Sequence, residues 1–218
     1  LWKQYYEDGK LKLEVNFNNG LMDGFFRDYY PNGQVRIDGI YKDDKKNGVW
    51  KSYFENGQLK TDGVQKNDKL EGINKVYYEN GNLKSEDEYI NGEHVGCSKD
   101  YFENGQLMTE GNIKNGEKDG LYKSYYENGQ LQHEGMYKEN KQHGIWKTYY
   151  ENGQLNSEQN WKEDKEHGPH KTYYENGQLG TVLNWENGKE CGNVIDYYEN
   201  GEIKYDGTWE ELQSKNKS

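Results

Sequence analysis

Glycine returns through this chain in two interleaved series that share one period. Gly9, Gly33, Gly57, Gly81, Gly105, Gly129, Gly153, Gly177 and Gly201 follow an asparagine, once an aspartate, every 24 residues without an insertion. Gly24, Gly48, Gly72, Gly96, Gly120, Gly144, Gly168 and Gly192 keep the same spacing, offset from the first series by 9 and 15 residues. A fixed period of this length is the mark of a repeat architecture, in which each unit packs on its neighbours. Two glycine turns per unit predict two strands and two turns per unit.

Numbering each unit from its second-series glycine as column 1 turns the repeats into their own alignment. Column 6 is Tyr in all nine copies, from Tyr5 to Tyr197, and column 7 is always Tyr or Phe. Column 12 is Leu, Val or Ile throughout, and column 18 is aromatic in seven of the nine copies. Alternation of this kind is strand patterning. Asn-Gly between two such runs predicts a hairpin, because both residues tolerate positive φ. Pro31 precedes one of these pairs and has no N–H for a ladder bond, so the loop is longer than two residues, with Pro31 leading a type I turn.

Two registers are open. Placing column 7 opposite 12 puts column 5 opposite 14, the aromatics of column 3 opposite the glycines of column 16, and the Lys of column 4 beside the acid of column 15. It also predicts that Val182 and Ile195, which replace an acid and a Lys together, are neighbours, and that Tyr5 through Tyr197 form an exposed ladder above the charged columns. A three-residue loop with a glycine bulge instead puts column 6 opposite 12.

Composition limits the core. Leu, Ile, Val and Phe make up 35 of 218 residues, and with a net charge of -11 so few would read as disorder were there not 21 Tyr and six Trp. The expected fold is all-β: an elongated single-layer antiparallel β-meander of about nine hairpin repeats, extending on the order of 80 Å before twist shortens it. The array covers residues 1–209, with a partial first unit at 1–23 and units starting near 24, 48, 72, 96, 120, 144, 168 and 192. Residues 210–218, EELQSKNKS, form a polar tail that frays or caps.

The unit from Gly120 to Gly144, GLYKSYYENGQLQHEGMYKENKQHG, resembles a MORN repeat, specifically the bacterial variant often classed as the antitoxin component of toxin-antitoxin systems. The resemblance runs from Leu1 to about Trp209. It implies a single-layer sheet of hairpins and a non-catalytic binding role, with antitoxin or immunity function as its finer form.

The residues offer little for catalysis. Carboxylates are plentiful, but a general acid must be singled out by its surroundings, and a side chain repeated in equivalent surroundings is not. His143 and His167 share a column and are expected about 10 Å apart, too far for one metal ion. HGPH, with His167 and His170, is the strongest metal candidate yet supplies two ligands without a third, so turn residues are the expected reading. Cys97 and Cys191 lie nearly four repeats apart and are expected unpaired, which favours a reducing compartment. No catalytic, cofactor or metal site is expected.

The acidic balance, 39 Asp and Glu against 28 Lys and Arg, excludes nucleic acid and disfavours anionic lipid. No apolar run exceeds four residues, so no membrane span is expected. The expectation is a cytoplasmic protein-binding module masking a basic toxin or effector. Export with a signal peptide, as a structural or adhesin-like spacer, is the alternative, and a membrane-associated scaffold the weakest reading. Two sets of residues are candidate partner contacts: the column 3 aromatics Trp50, Tyr122 and Trp146 with His170, and the apolar departure at Val182, Leu183, Trp185, Val194 and Ile195. The open edge strands also predict edge-to-edge self-association.

Overall fold

A computed structural model describes residues 1–215. Its 18 strands form one open antiparallel sheet in which strands pair in sequence order. Two compact units divide the chain, Leu1–Gln106 with Ile113–Gly116, and Leu107–Asn112 with Glu117 onward. The first contains β1 (Trp2–Tyr5), β2 (Leu11–Asn18), β3 (Leu21–Tyr29), β4 (Val35–Lys42), β5 (Lys45–Tyr53), β6 (Leu59–Lys66), β7 (Lys69–Tyr77), β8 (Leu83–Ile90) and β9 (Glu93–Tyr101). The residues of β10 (Leu107–Lys114) are shared between the two. The second contains β11 (Glu117–Tyr125), β12 (Leu131–Lys138), β13 (Lys141–Tyr149), β14 (Leu155–Lys162), β15 (Lys165–Tyr173), β16 (Leu179–Glu186), β17 (Lys189–Tyr197), β18 (Ile203–Thr208) and α1 (Trp209–Lys215).

The Asn-Gly connections are three-residue loops. At Tyr126 to Gln130 the Tyr126 N–H donates to the Gln130 carbonyl (2.8 Å), the Gly129 N–H donates to the Tyr126 carbonyl (2.9 Å), and Gly129 takes a φ of 84°. Tyr30 to Gln34 closes the same way with Pro31 leading, as its missing N–H requires. Both registers then prove correct, in different halves of the hairpin. Tyr125 lies opposite Leu131, column 6 on 12, while Ser124 pairs with His133, Lys123 with Glu134 and Tyr122 with Gly135. A bulge between the two halves absorbs the one-residue difference.

The second-series glycines are not turn residues, contrary to the expectation from spacing. Gly48 and Gly120 lie inside β5 and β11 with φ of 112° and 118°. They sit at bulges, as where the pairing jumps from Asp38 with Lys51 to Tyr41 with Lys46. The turn itself falls a few residues earlier, at two-residue loops such as Asp43-Asp44, Asn67-Asp68, Glu139-Asn140 and Glu163-Asp164, in which both residues are left-handed. Positive φ at both positions defines a type I′ turn.

Within each of the two units, both rows of turns are stitched from repeat to repeat. Asn32 Oδ1 accepts the Gln34 N–H (2.9 Å), and its Nδ2 donates to the Glu55 carbonyl one repeat later (2.8 Å). The Tyr30 hydroxyl donates to the Tyr53 carbonyl (2.8 Å), and Tyr126, Tyr150 and Tyr174 repeat the contact to Tyr149, Tyr173 and Tyr197. At the opposite turns Asp44 Oδ1 accepts the Met22 N–H (2.7 Å) and the Asp44 N–H donates to the Met22 carbonyl (3.0 Å).

A single layer has no second sheet to fill a core, and among the described residues the deeply buried apolar side chains are Val15, Trp146 and Val194. The C-terminal expectation changes. Trp209, in column 18, opens a helix, with the Thr208 hydroxyl accepting the Glu211 N–H (3.3 Å) and the Glu211 carboxylate accepting the Thr208 N–H (2.9 Å). This is a capping box. The part of the expected polar tail at 216–218 lies outside the described residues.

Candidate protein-binding faces

In each unit the columns sort onto two faces. One carries the aromatics of columns 3 and 18, laid over glycine. In the first unit Phe26, Tyr41 and Trp50 pack with centroids 5.1 to 5.7 Å apart, and Lys46 Nζ lies 4.6 Å from the Trp50 centroid. The Trp50 ring covers Gly39 at the place of an absent side chain, and its Nε1 donates to the Ile40 carbonyl (3.1 Å). Further along, the aromatics give way to polar residues. The Ser98 hydroxyl donates to Asp87 Oδ1 (2.6 Å), His94 Nε2 lies 3.2 Å from the same oxygen, and the imidazole stacks on Tyr89 at 5.1 Å. The imidazole reaches the carboxylate, not the hydroxyl, so this group gives Ser98 no base and builds no nucleophile.

In the second unit Tyr122, Tyr137 and Trp146 repeat the triad at 5.0 to 6.0 Å, and Lys118 Nζ stands 4.7 Å from the Tyr122 centroid and 5.0 Å from that of Tyr137. Beyond it the face changes character. Gln159 takes the column of Gly135, with His170 opposite it, and Leu183 follows opposite His170. Trp161 faces Glu166 across β14 and β15, and Trp185 faces Glu190 across β16 and β17. Burial, with the Glu190 charge behind it, pushes the Glu166 carboxyl above its ordinary range, and burial does the same to Glu190. Burial lowers His170, favouring the neutral imidazole.

The other face carries Lys–acid rungs, including Lys51–Asp62 at 3.6 Å, Lys75–Glu86 at 2.9 Å and Lys147–Glu158 at 3.4 Å. Exposed pairs of this kind contribute little each, about 0 to 1 kcal/mol. The column 6 tyrosines share this face, but they are half-buried from Tyr29 to Tyr197 and not the exposed ladder expected; only Tyr5 is open. Their hydroxyls donate to the acid of the preceding repeat, Tyr125 to Glu110 (2.8 Å) and Tyr149 to Glu134 (2.7 Å). Burial first, then that carboxylate, pushes both phenols up to about 12.

The candidate contacts do not form one patch. Val182 and Ile195 are paired as the register predicts, on the rung face. Leu183, Trp185 and Val194 lie on the aromatic face, because strand neighbours alternate. Val194 is 2% exposed and Trp146 6%, so neither offers its side chain to a partner. Trp50, Tyr122, His170, Leu183 and Trp185 remain half-buried and partly open. His143, His167 and His170 sit in β13 and β15, not in turns. Among the described residues no three His, Cys, Asp or Glu side chains come together as a metal site. Cys97 and Cys191 are free thiols.

Sequence reasoning missed an apolar row on the rung face. Ile40, Val49, Val64 and Ile73 are 40 to 52% exposed in the first unit, and Leu121, Met136 and Ile145 are 46 to 57% exposed in the second. Columns 2 and 17 carried the signal, since Val49 pairs with Val64 and Leu121 with Met136.

The model of the MORN repeat variant family matches this chain at residues 1–19, 22–43, 46–67, 70–91, 95–115, 118–139, 142–163, 166–187 and 190–211. No curated protein matches. Among solved structures the chain is similar to chains in the crystal structures of TcdB2-TccC3 and TcdB2-TccC3-Cdc42, each at 12% identity and a TM-score of 0.23, over 89% of this chain and 13% of theirs. A TM-score that low carries no argument about fold or partner.

Proposed function

From the premise that the chain belongs to the MORN repeat variant family, we propose that it is a non-catalytic protein-binding module whose aromatic face receives a basic partner. The observation that carries this reading is the half-exposed row of aromatic rings in the second unit, flanked by Glu166 and Glu190. Aromatic side chains concentrate binding energy at interfaces. The net charge of -11 speeds encounter with a basic surface. An antitoxin or immunity role, masking a basic toxin or effector in a reducing compartment, is the finer form of the proposal, and the two free thiols favour it.

Capture from the source organism on immobilised chain, followed by titration calorimetry with the purified captured protein, tests it. A saturable partner of basic charge is expected, its affinity falling as salt rises from about 50 to 500 mM and falling again on Trp185→Ala. An acidic partner, or affinity indifferent to both changes, sinks the reading.

A further inference from the structure

Column 23 supplies an internal comparison for one site in the second unit. In two repeats it holds Lys46, whose ammonium lies over the column 3 ring of Trp50, and Lys118, whose ammonium lies over the rings of Tyr122 in column 3 and Tyr137 in column 18. The attraction is that of a cation for the negative face of an aromatic ring, strongest for indole. In β15 and β17 the same column holds Glu166 and Glu190. The rings across from them are the indoles of Trp161 and Trp185. Where the array presents adjacent indoles in column 18, the lysine has therefore been exchanged for two carboxylates.

A second observation points the same way. Three polar atoms in this region are buried without a hydrogen-bond partner among the described residues, Gln159 Oε1, His170 Nδ1 and Trp185 Nε1, and of these Gln159 Oε1, an acceptor, is the one an ammonium satisfies, the Trp185 N–H being itself a donor. Gln159 is 6% exposed, stands across from His170 on the aromatic face, and shares that face with Trp161 two residues along the strand. Its column carries glycine in Gly39, Gly63, Gly111 and Gly135. A buried acceptor replaces a smooth floor of backbone, and an acceptor asks for a donor. Burial holds both carboxyls above their ordinary range, with the Glu190 charge adding to it at Glu166, and a neighbouring cation opposes that shift.

We propose that Trp161, Glu166, His170, Trp185 and Glu190, with Gln159 at the floor, receive the ammonium of a lysine side chain from the partner, in the role that Lys46 and Lys118 fill from within the chain. This rests on the protein-binding reading and narrows the partner to one presenting a lysine on an accessible segment. Trimethylation of that lysine keeps the charge and the attraction to the indoles but removes the N–H that Gln159 Oε1 asks for, so it weakens binding without abolishing it. Acetylation removes the charge and abolishes binding.

The test uses the full chain, ¹⁵N-labelled, titrated with a synthetic heptapeptide carrying one central lysine among glycine and serine. The indole N–H signals of Trp161 and Trp185 are expected to shift saturably in the millimolar range, with those of Trp2 and Trp50 unmoved. The trimethyl-lysine peptide shifts the same two signals with weaker affinity, and the acetyl-lysine peptide shifts neither. Glu166→Gln with Glu190→Gln weakens binding about tenfold, a single lost charge-assisted contact being enough for that. Glu166→Lys, which fills the site from within, abolishes the shift without lowering the thermal midpoint. No shift at about 20 mM peptide, equal shifts with the acetylated peptide, or unchanged affinity in the double variant overturns the proposal. If the chain still captures a basic partner while the peptide fails, the lysine site alone falls and the protein-binding reading stands.

Discussion

At Gly135 the ring of Trp146 occupies the space a methyl group would need, and Gly39 stands in the same relation to Trp50. Gly135→Ala is expected to destabilise the fold by about 1 to 3 kcal/mol, the usual effect of overpacking. A lower urea midpoint and a red-shifted tryptophan emission, as Trp146 leaves its buried seat, would register it. The column 6 phenols make a second residue-scale prediction. Tyr125 and Tyr149, pushed up to about 12, should ionise about two pH units after an exposed tyrosine in an ultraviolet titration. The fold favours the neutral phenol, so their contribution to stability is whole below about pH 10 and is lost as pH rises from there through about 12. Glu134→Gln should bring Tyr149 only part of the way down, because burial, the larger cause, remains.

Among elements, the type I′ loops carry residues that bear a cost there. Glu139 is left-handed at φ 51°, a conformation that asparagine accepts more readily. Glu139→Asn should raise stability by about 0.5 kcal/mol, read as a higher thermal midpoint. Asn140→Gly should not help, although glycine fits the angle, because the Asn140 side chain accepts the Lys118 N–H at 2.7 Å. Thr208→Ala removes the hydroxyl that caps α1 and should cost about 1 kcal/mol, seen as faster amide exchange in α1. The TWEE run at Thr208 to Glu211 spells a capping box, and that helix start was legible in the letters.

Within each of the two units, strand contacts run to the strand before and the strand after. Stability in such an array is a sum of local terms, so damage stays local. Within the second unit, Gly135→Ala should speed amide exchange in β11 to β14 and leave β17 and β18 unchanged, as measured by hydrogen exchange with mass spectrometry. Uniform loss of protection across those strands would show instead one cooperative core.

The sequence by itself determined the all-β class, the 24-residue repeat and the pairing of Trp50 with Gly63 and Tyr122 with Gly135, because period, turn chemistry and complementary size are local properties of the chain, whereas Trp146 pairs with Gln159. It also determined that Val182 and Ile195 would meet. Only the tertiary structure decided where the bulges fall, since a bulge satisfies two registers that the letters present as rivals. It moved the second turn away from the glycines and onto pairs such as Asp43-Asp44. It divided the apolar departure between two faces and closed Val194 and Trp146 to partners, because exposure depends on which neighbours the sheet brings alongside. The exchange of Lys46 and Lys118 for Glu166 and Glu190 was present in the sequence throughout, but its meaning required knowing that column 23 stands against aromatic rings.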